Sequence, residues 1–217
     1  MKKNIIIFVL FLFSVYAQEE SVFQIGRLKY SGGGDWYNDP SAEMNLLKFV
    51  NENTSIKVKP DYIFVEANDP KIFNYPFLFI TGHGNIKFSE SEISNIRKYI
   101  ERGGFIYIDD DYSLDKAVRR EFKKIFPENN FIELPFSHEI YHTLFQFEYG
   151  PPKIHEHDKK PPRGFGLFVN GRMSVYYTFE SNPSDGWADQ RIHNDDETIR
   201  RKALEFGTNI IVWALTN

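Results

Sequence analysis

The chain has 217 residues, 41% hydrophobic and 17% aromatic, with 26 Lys and Arg against 30 Asp and Glu. That composition belongs to a folded domain with enough apolar side chains for a core, and it excludes a disordered or fibrous chain. The absence of Cys excludes disulfides and thiol chemistry, and a formal charge of -4 with no long Lys/Arg run excludes the basic stripe that a nucleic-acid partner requires.

The first segment reads as an export signal. Lys2 and Lys3 precede an apolar run over residues 5–15, and Val15, Tyr16 and Ala17 supply the small-residue pattern of a cleavage site. A run of about a dozen residues is too short for a hydrocarbon core that needs roughly 20. Cleavage after Ala17 is therefore expected, leaving 24 basic against 30 acidic side chains, a charge of -6, and one domain over residues 18–217. No Cys follows the run, so a lipid-modified N-terminus is chemically unavailable, and no later segment is apolar enough to span a bilayer. The expected location is the periplasm or the medium.

Beyond the signal, apolar runs ending in Gly, Asp or Asn alternate with stretches of helical period, which predicts an α/β domain with a mostly parallel sheet. A strand is expected over 23–30. A helix follows with Asp39 as N-cap, Pro40 at the first helical position and Met44, Leu47 and Val50 on one face. Strands are expected over 62–66 and 75–81, the latter apolar throughout, as a strand buried on both faces should be. Ser89 and Glu92 have capping-box spacing before a helix that presents Ile93, Ile96 and Ile100 and stops at Gly103.

Residues 105–108 form the next expected strand, and a helix carrying Val118, Phe122 and Ile125 ends before Pro127. A strand over 131–134 leads into an irregular stretch and a Pro-rich loop over 150–164. Strands over 165–169 and 173–179 can pair across the hairpin turn Asn170-Gly171. A closing helix from Asp196 carries Ala203, Phe206, Ile210 and Ala214.

Ligands of an open parallel sheet bind outside the carboxyl ends of its strands, where loop amides and helix N-termini meet. Three loops are expected there. The first holds Gly32, Gly33, Gly34, Asp35 and Trp36, the second Gly82, His83 and Gly84, and the third Asp109, Asp110 and Asp111. The glycines either let a ligand approach the backbone or serve only a left-handed turn. Asp35 and Trp36 could hold a polar ring between a carboxylate and a stacking face, and His83 could act as acid, base or ligand. The three aspartates could hold Mg²⁺ or Ca²⁺, or simply be solvated. Strand alternation lets at most two of them converge and leaves one for a helix cap.

Residues 138–142 (HEIYH) formally match the zincin pattern, with His155 or His157 as a third ligand, but Pro135 leaves no upstream helical turn to hold His138. Arg172 is a candidate anion clamp and Trp187 a candidate rim aromatic, each with a fold-stabilising alternative.

Taken in order, YSGGGDWYNDP at 30–40, YPFLFITGHG at 75–84, RKYIERGGFIYIDDD at 97–111, PFSHEIY at 135–141 and GTNIIVWALTN at 207–217 resemble the bacterial domain of unknown function 4159 family. The resemblance spans nearly the whole chain after the signal. It implies a flavodoxin-like three-layer α/β sandwich of the class I glutamine amidotransferase-like type, near the trehalose-utilisation-type domains. In that pattern residues 82–84 correspond to the oxyanion loop and Asp109-Asp110 to the nucleophile elbow. With no Cys in the chain, Cys-dependent glutamine hydrolysis cannot operate. His138 resembles the His of a His-Pro-Ile stretch in the trehalose-utilisation-type relatives, with Glu139 where they carry proline. Relatives that occur beside MoxR-type ATPases and von Willebrand A-type proteins imply an envelope partner.

The resulting expectation is an exported, non-catalytic module that binds a ligand or an envelope protein. Its site comprises Gly33, Gly34, Asp35, Trp36, Gly82, His83, Gly84, Asp109, Asp110, His138, Arg172 and Trp187, with no resident metal and no cofactor assigned. The alternative is a metal-assisted hydrolase of carbohydrate or cell-wall material using Asp109, Asp110, His83 and His138.

Overall fold

The computed structural model describes residues 22–217; the expected signal over 1–17 lies outside them. The described chain forms one seven-stranded sheet in the order β2-β1-β3-β4-β7-β6-β5. Its strands are β1 (Ile25–Lys29), β2 (Phe64–Glu66), β3 (Phe77–Ile80), β4 (Phe105–Asp109), β5 (Ile132–Glu133), β6 (Arg163–Val169) and β7 (Arg172–Phe179). From β2 to β7 every neighbouring pair is parallel, while β6 is antiparallel to both β7 and β5. This is a flavodoxin-like α/β sandwich extended by an antiparallel edge.

The helices are α1 (Ala42–Asn53), α2 (Glu90–Glu101), α3 (Asp115–Ile125), α4 (Pro183–Trp187), α5 (Gln190–His193) and α6 (Glu197–Thr216). Two apolar clusters flank the sheet. Alternation along β3 and β4 decides the division: Phe77, Phe79, Phe105 and Tyr107 join the side of α1, α4 and α6, whereas Leu78, Ile80, Ile106 and Ile108 join the side of α2 and α3. The aromatic face is continuous across strands, with Phe79 stacked on Tyr107 at 5.5 Å between centroids and Tyr107 on Tyr176 at 5.9 Å. Trp187 lies against Phe79 and Tyr107. Among the described residues no helix is long and apolar enough to cross a membrane.

Most local signals are realised, with shifts that have physical causes. The capping box forms at α2, where Ser89 Oγ accepts from the Glu92 amide and Glu92 Oε2 accepts from the Ser89 amide at 2.7 Å. Ser89→Ala is expected to cost about 1 kcal/mol, read as a melting-point fall of about 2–4 °C in a domain of this size. The Asn170-Gly171 turn closes the β6–β7 hairpin with φ of 52° and 80°, the two left-handed residues that its register demands.

The α1 start is a correction. The helix begins at Ala42 with Ser41 in the cap position, and no side chain caps it. Asp39 has a left-handed φ of 46° and its carboxylate is engaged by His193, so it is not available to the α1 amides.

Candidate functional site

The parallel strands end on one edge, and the reversed direction of β6 brings the loop over 150–162 to that edge as well. Because β1 sits between β2 and β3, the chain changes winding direction between the carboxyl ends of β1 and β3. That is the switch point where such sheets form a crevice. The first expected loop leaves β1 and the second leaves β3, so they meet there. Gly34 donates its amide to Asn85 O at 3.0 Å.

Asp35 reaches from the first loop to the second. Its Oδ1 accepts from the His83 amide at 2.5 Å, and its Oδ2 lies 3.0 Å from His83 Nδ1. Gly82 makes this approach possible. It has φ of +133°, and a Cβ there would stand 2.5 Å from Tyr30 Oη and 2.9 Å from Asp35 Oδ1. Trp36 turns the other way and packs on Tyr37 and Phe64.

The three consecutive aspartates divide as the strand period requires. Asp109 is fully buried. Its Oδ1 accepts from Thr178 Oγ1 at 2.7 Å and its Oδ2 from the Ser184 amide and hydroxyl at 2.8 and 2.7 Å, which ties β4 to the start of α4. Asp110 faces the opposite layer and accepts from the amides of Leu114 and Asp115 at 2.8 and 3.0 Å, capping α3, and from Tyr177 Oη at 3.1 Å. Burial pushes the two carboxyls up, to about 7 for Asp109 and about 6 for Asp110.

Asp111 turns back toward α4 and into the rim. It accepts from Asn38 Nδ2 at 2.6 Å and Asn182 Nδ2 at 2.9 Å, and lies 3.3 Å from His83 Nδ1. Burial, then the charges of Asp185 and Asp109, push its carboxyl well above the usual range.

Three expected residues do not line the rim. Arg172 begins β7 at the opposite edge, where Nη2 donates to Ile100 O and Gly104 O at 3.3 and 2.9 Å; it ties β7 to the end of α2 rather than clamping an anion at the rim. Trp187 is buried in the aromatic layer and donates Nε1 to Ala203 O at 2.8 Å. His138 precedes a short 3-10 turn, accepts from the Ile140 amide and packs beside Trp213. Trp213 lies roughly 25 Å along α6 from its start, at about 1.5 Å per residue. His142 spends its ring nitrogens on Gln146 Oε1 and Phe136 O. With a 3-10 turn and no α-helix over 138–142, the zincin pattern is not assembled, and neither is the set Asp109, Asp110, His83 and His138.

The structure gathers a different group. His155 places Nδ1 2.5 Å from Asp185 Oδ2 and Nε2 2.9 Å from Asp195 Oδ1, and these carboxylates raise the imidazole to about 9. His193 stands beside it at 5.0 Å between ring centroids, with Nε2 3.1 Å from both carboxylate oxygens of Asp39. Among the described residues two sets of donors have the proximity a metal requires: His155, Asp185 and His193, and Asp39, Asp111 and Asp185, each with its ligand atoms within 4.8 Å of one another.

Sequence reasoning missed this group because its members come from five separate segments. Only the number of His and Asp residues around 155–157, 185, 189 and 193–196 hinted at it.

Beside the group, a cleft of about 430 Å³ opens between the carboxyl ends of β4 and β7. Its walls include Asp111, Tyr112, Lys116, His157, Lys160 and Asn182. The rings of Tyr112 and His157 lie 4.7 Å apart at 32°, and His157 Nε2 is 2.9 Å from Asn182 Nδ2.

The family model described as Domain of unknown function (DUF4159) matches residues 24–215. No curated protein matches the chain.

Proposed function

The chain belongs to the domain of unknown function 4159 family, and on that premise we propose that it is an exported binding module of the cell envelope whose ligand is a hydroxyl-rich molecule of the saccharide class. The observation that carries this reading is the cleft between β4 and β7. It combines a ring pair, Tyr112 and His157, with carboxylate, amide and ammonium groups from Asp111, Asn182 and Lys160. A sugar ring offers that surface its matching halves, an apolar face for the aromatic wall and hydroxyls for the polar one.

The reading supposes a class I glutamine amidotransferase-like ancestry in which the elbow has become structural. Asp109 and Asp110 stand where the nucleophile would be and are both saturated by hydrogen bonds within the fold. Export rests on the composition of residues 1–17.

Calorimetric titration with N-acetylated amino-sugar oligomers and with neutral hexose oligomers tests the binding. Saturable binding of one series is expected, and the double substitution Tyr112→Ala, His157→Ala should weaken it at least about tenfold, equivalent to about 1.4 kcal/mol. Circular dichroism should stay unchanged. Absence of saturation with both series at millimolar ligand would sink the saccharide assignment. N-terminal sequencing of the protein recovered outside the cytoplasm should begin at Gln18.

A further inference from the structure

Asp39, Asp111, Asp185 and Asp195 converge at the rim, and among the described residues their ion-pair partners are histidines only; no Lys or Arg lies within ion-pair distance of any of them. Surface carboxylates tolerate that arrangement because water screens them. Asp111 and Asp185 are each only 3% exposed, where carboxyl groups this close together can hold their charge only if a proton or a cation intervenes.

A second observation is independent of the charge. Asp185 Oδ1 and Asn182 Oδ1 are buried and, among the described residues, have no hydrogen-bond partner. Native interiors rarely leave such oxygens unsatisfied, and an ion is one of the few things that satisfies them. A third is the orientation of His155. Its Nε2 is held by Asp195 while Nδ1 points at Asp185, the carboxylate-histidine relay that fixes an imidazole for metal ligation.

We propose that His155, Asp185 and His193 bind a divalent transition-metal ion, with Asp39 and Asp111 providing oxygen ligands on the far side of the shared Asp185. Two imidazoles with carboxylates favour an ion such as Zn²⁺ over the oxygen-seeking Ca²⁺ and Mg²⁺. The histidine side chains are 23% and 26% exposed, so the ion has a route from solvent. Asp195 is a positioning residue acting through His155. The site borders the cleft through Asp111 and Asn182, yet it stands on its own donors and does not depend on the saccharide reading.

The test is made without saccharide, on the purified chain stripped with a chelator. Zn²⁺ is titrated by calorimetry, Co²⁺ by its visible absorption, and Ca²⁺ and Mg²⁺ are run in parallel. At least one Zn²⁺ per chain should bind saturably and raise the melting point, and Co²⁺ should develop the bands of nitrogen-containing coordination. Asp185→Asn and His193→Gln should each weaken Zn²⁺ at least tenfold, and Asp195→Asn by about 10- to 100-fold. Asp158→Asn, on an exposed side chain nearby, should leave affinity unchanged.

No saturable Zn²⁺ binding overturns the proposal. So does stoichiometric binding that survives both ligand substitutions, or Ca²⁺ binding as tight as Zn²⁺. If Asp185→Asn alters the circular dichroism, His193→Gln, at a side chain 26% exposed, decides the matter. Saccharide binding could fail with the metal intact, or the reverse, so the two results are separable.

Discussion

Glu43→Ala is expected to destabilise the protein by about 3–5 kcal/mol, the cost of stranding a charge inside a fold. Arg27 and Glu43 are both buried, at 0% and 1% exposure, and meet in a two-pronged pair with Nε to Oε1 at 2.5 Å and Nη2 to Oε2 at 2.6 Å. The guanidinium also lies over the Phe79 and Tyr62 rings. It donates to the carbonyls of Trp36, Asn38 and Asp39, and so supports the loop that delivers Asp39 to the rim.

Removing the carboxylate leaves the cation without compensation and loosens that loop. Denaturant unfolding should show the midpoint falling at unchanged slope. The double substitution Arg27→Met, Glu43→Leu should recover most of the loss, since replacing a buried pair by apolar groups of similar volume is often neutral or better. If the double variant were as unstable as the single one, the pair's role would be packing rather than charge.

Trp187→Ala is expected to cost about 3–5 kcal/mol through the cavity it leaves. The indole fills the space between the Phe79–Tyr107 stack and α6. A Cβ on Gly207 would come within 2.7 Å of its Cζ2, so helix and indole are already in close contact. Truncation also leaves Ala203 O without the donor it now has at 2.8 Å. Calorimetric melting should fall by roughly 6–20 °C at about 2–4 °C per kcal/mol, and Trp187→Phe should recover part of it. A fall under about 3 °C in Trp187→Ala would mean that α6 collapses into the vacated space.

The sheet was legible because its central strands carry their own evidence. The runs at 77–80 and 105–108 are apolar at every position, and the loops after them are marked by glycine or aspartate. Even the division into an aromatic and an aliphatic face is written in the alternation Phe-Leu-Phe-Ile, although only the structure shows which helices each face meets. The meeting of residues 35 and 83 followed from topology alone.

The rest of the site was not legible for a different reason. Asp39 reads as a helix cap and becomes a partner of His193. Asp185 lies in a helix of five residues, and His155 sits in a loop with no periodic signal. The approach of His155 to the other two depends on β6 running backwards, which no local pattern announces. Arg172, Trp187 and His138 show the converse, since each has the chemistry of a site residue and spends it on a carbonyl, an apolar layer or a backbone amide.

The two margins of the sheet carry a consequence for solubility. β2 and β5 contribute three and two residues, so a foreign strand aligning with either side finds only a few free amides before the chain turns away. Stubs of that length deny a growing fibril the long template it needs, and the protein is thereby shielded from edge-to-edge stacking at high local concentration.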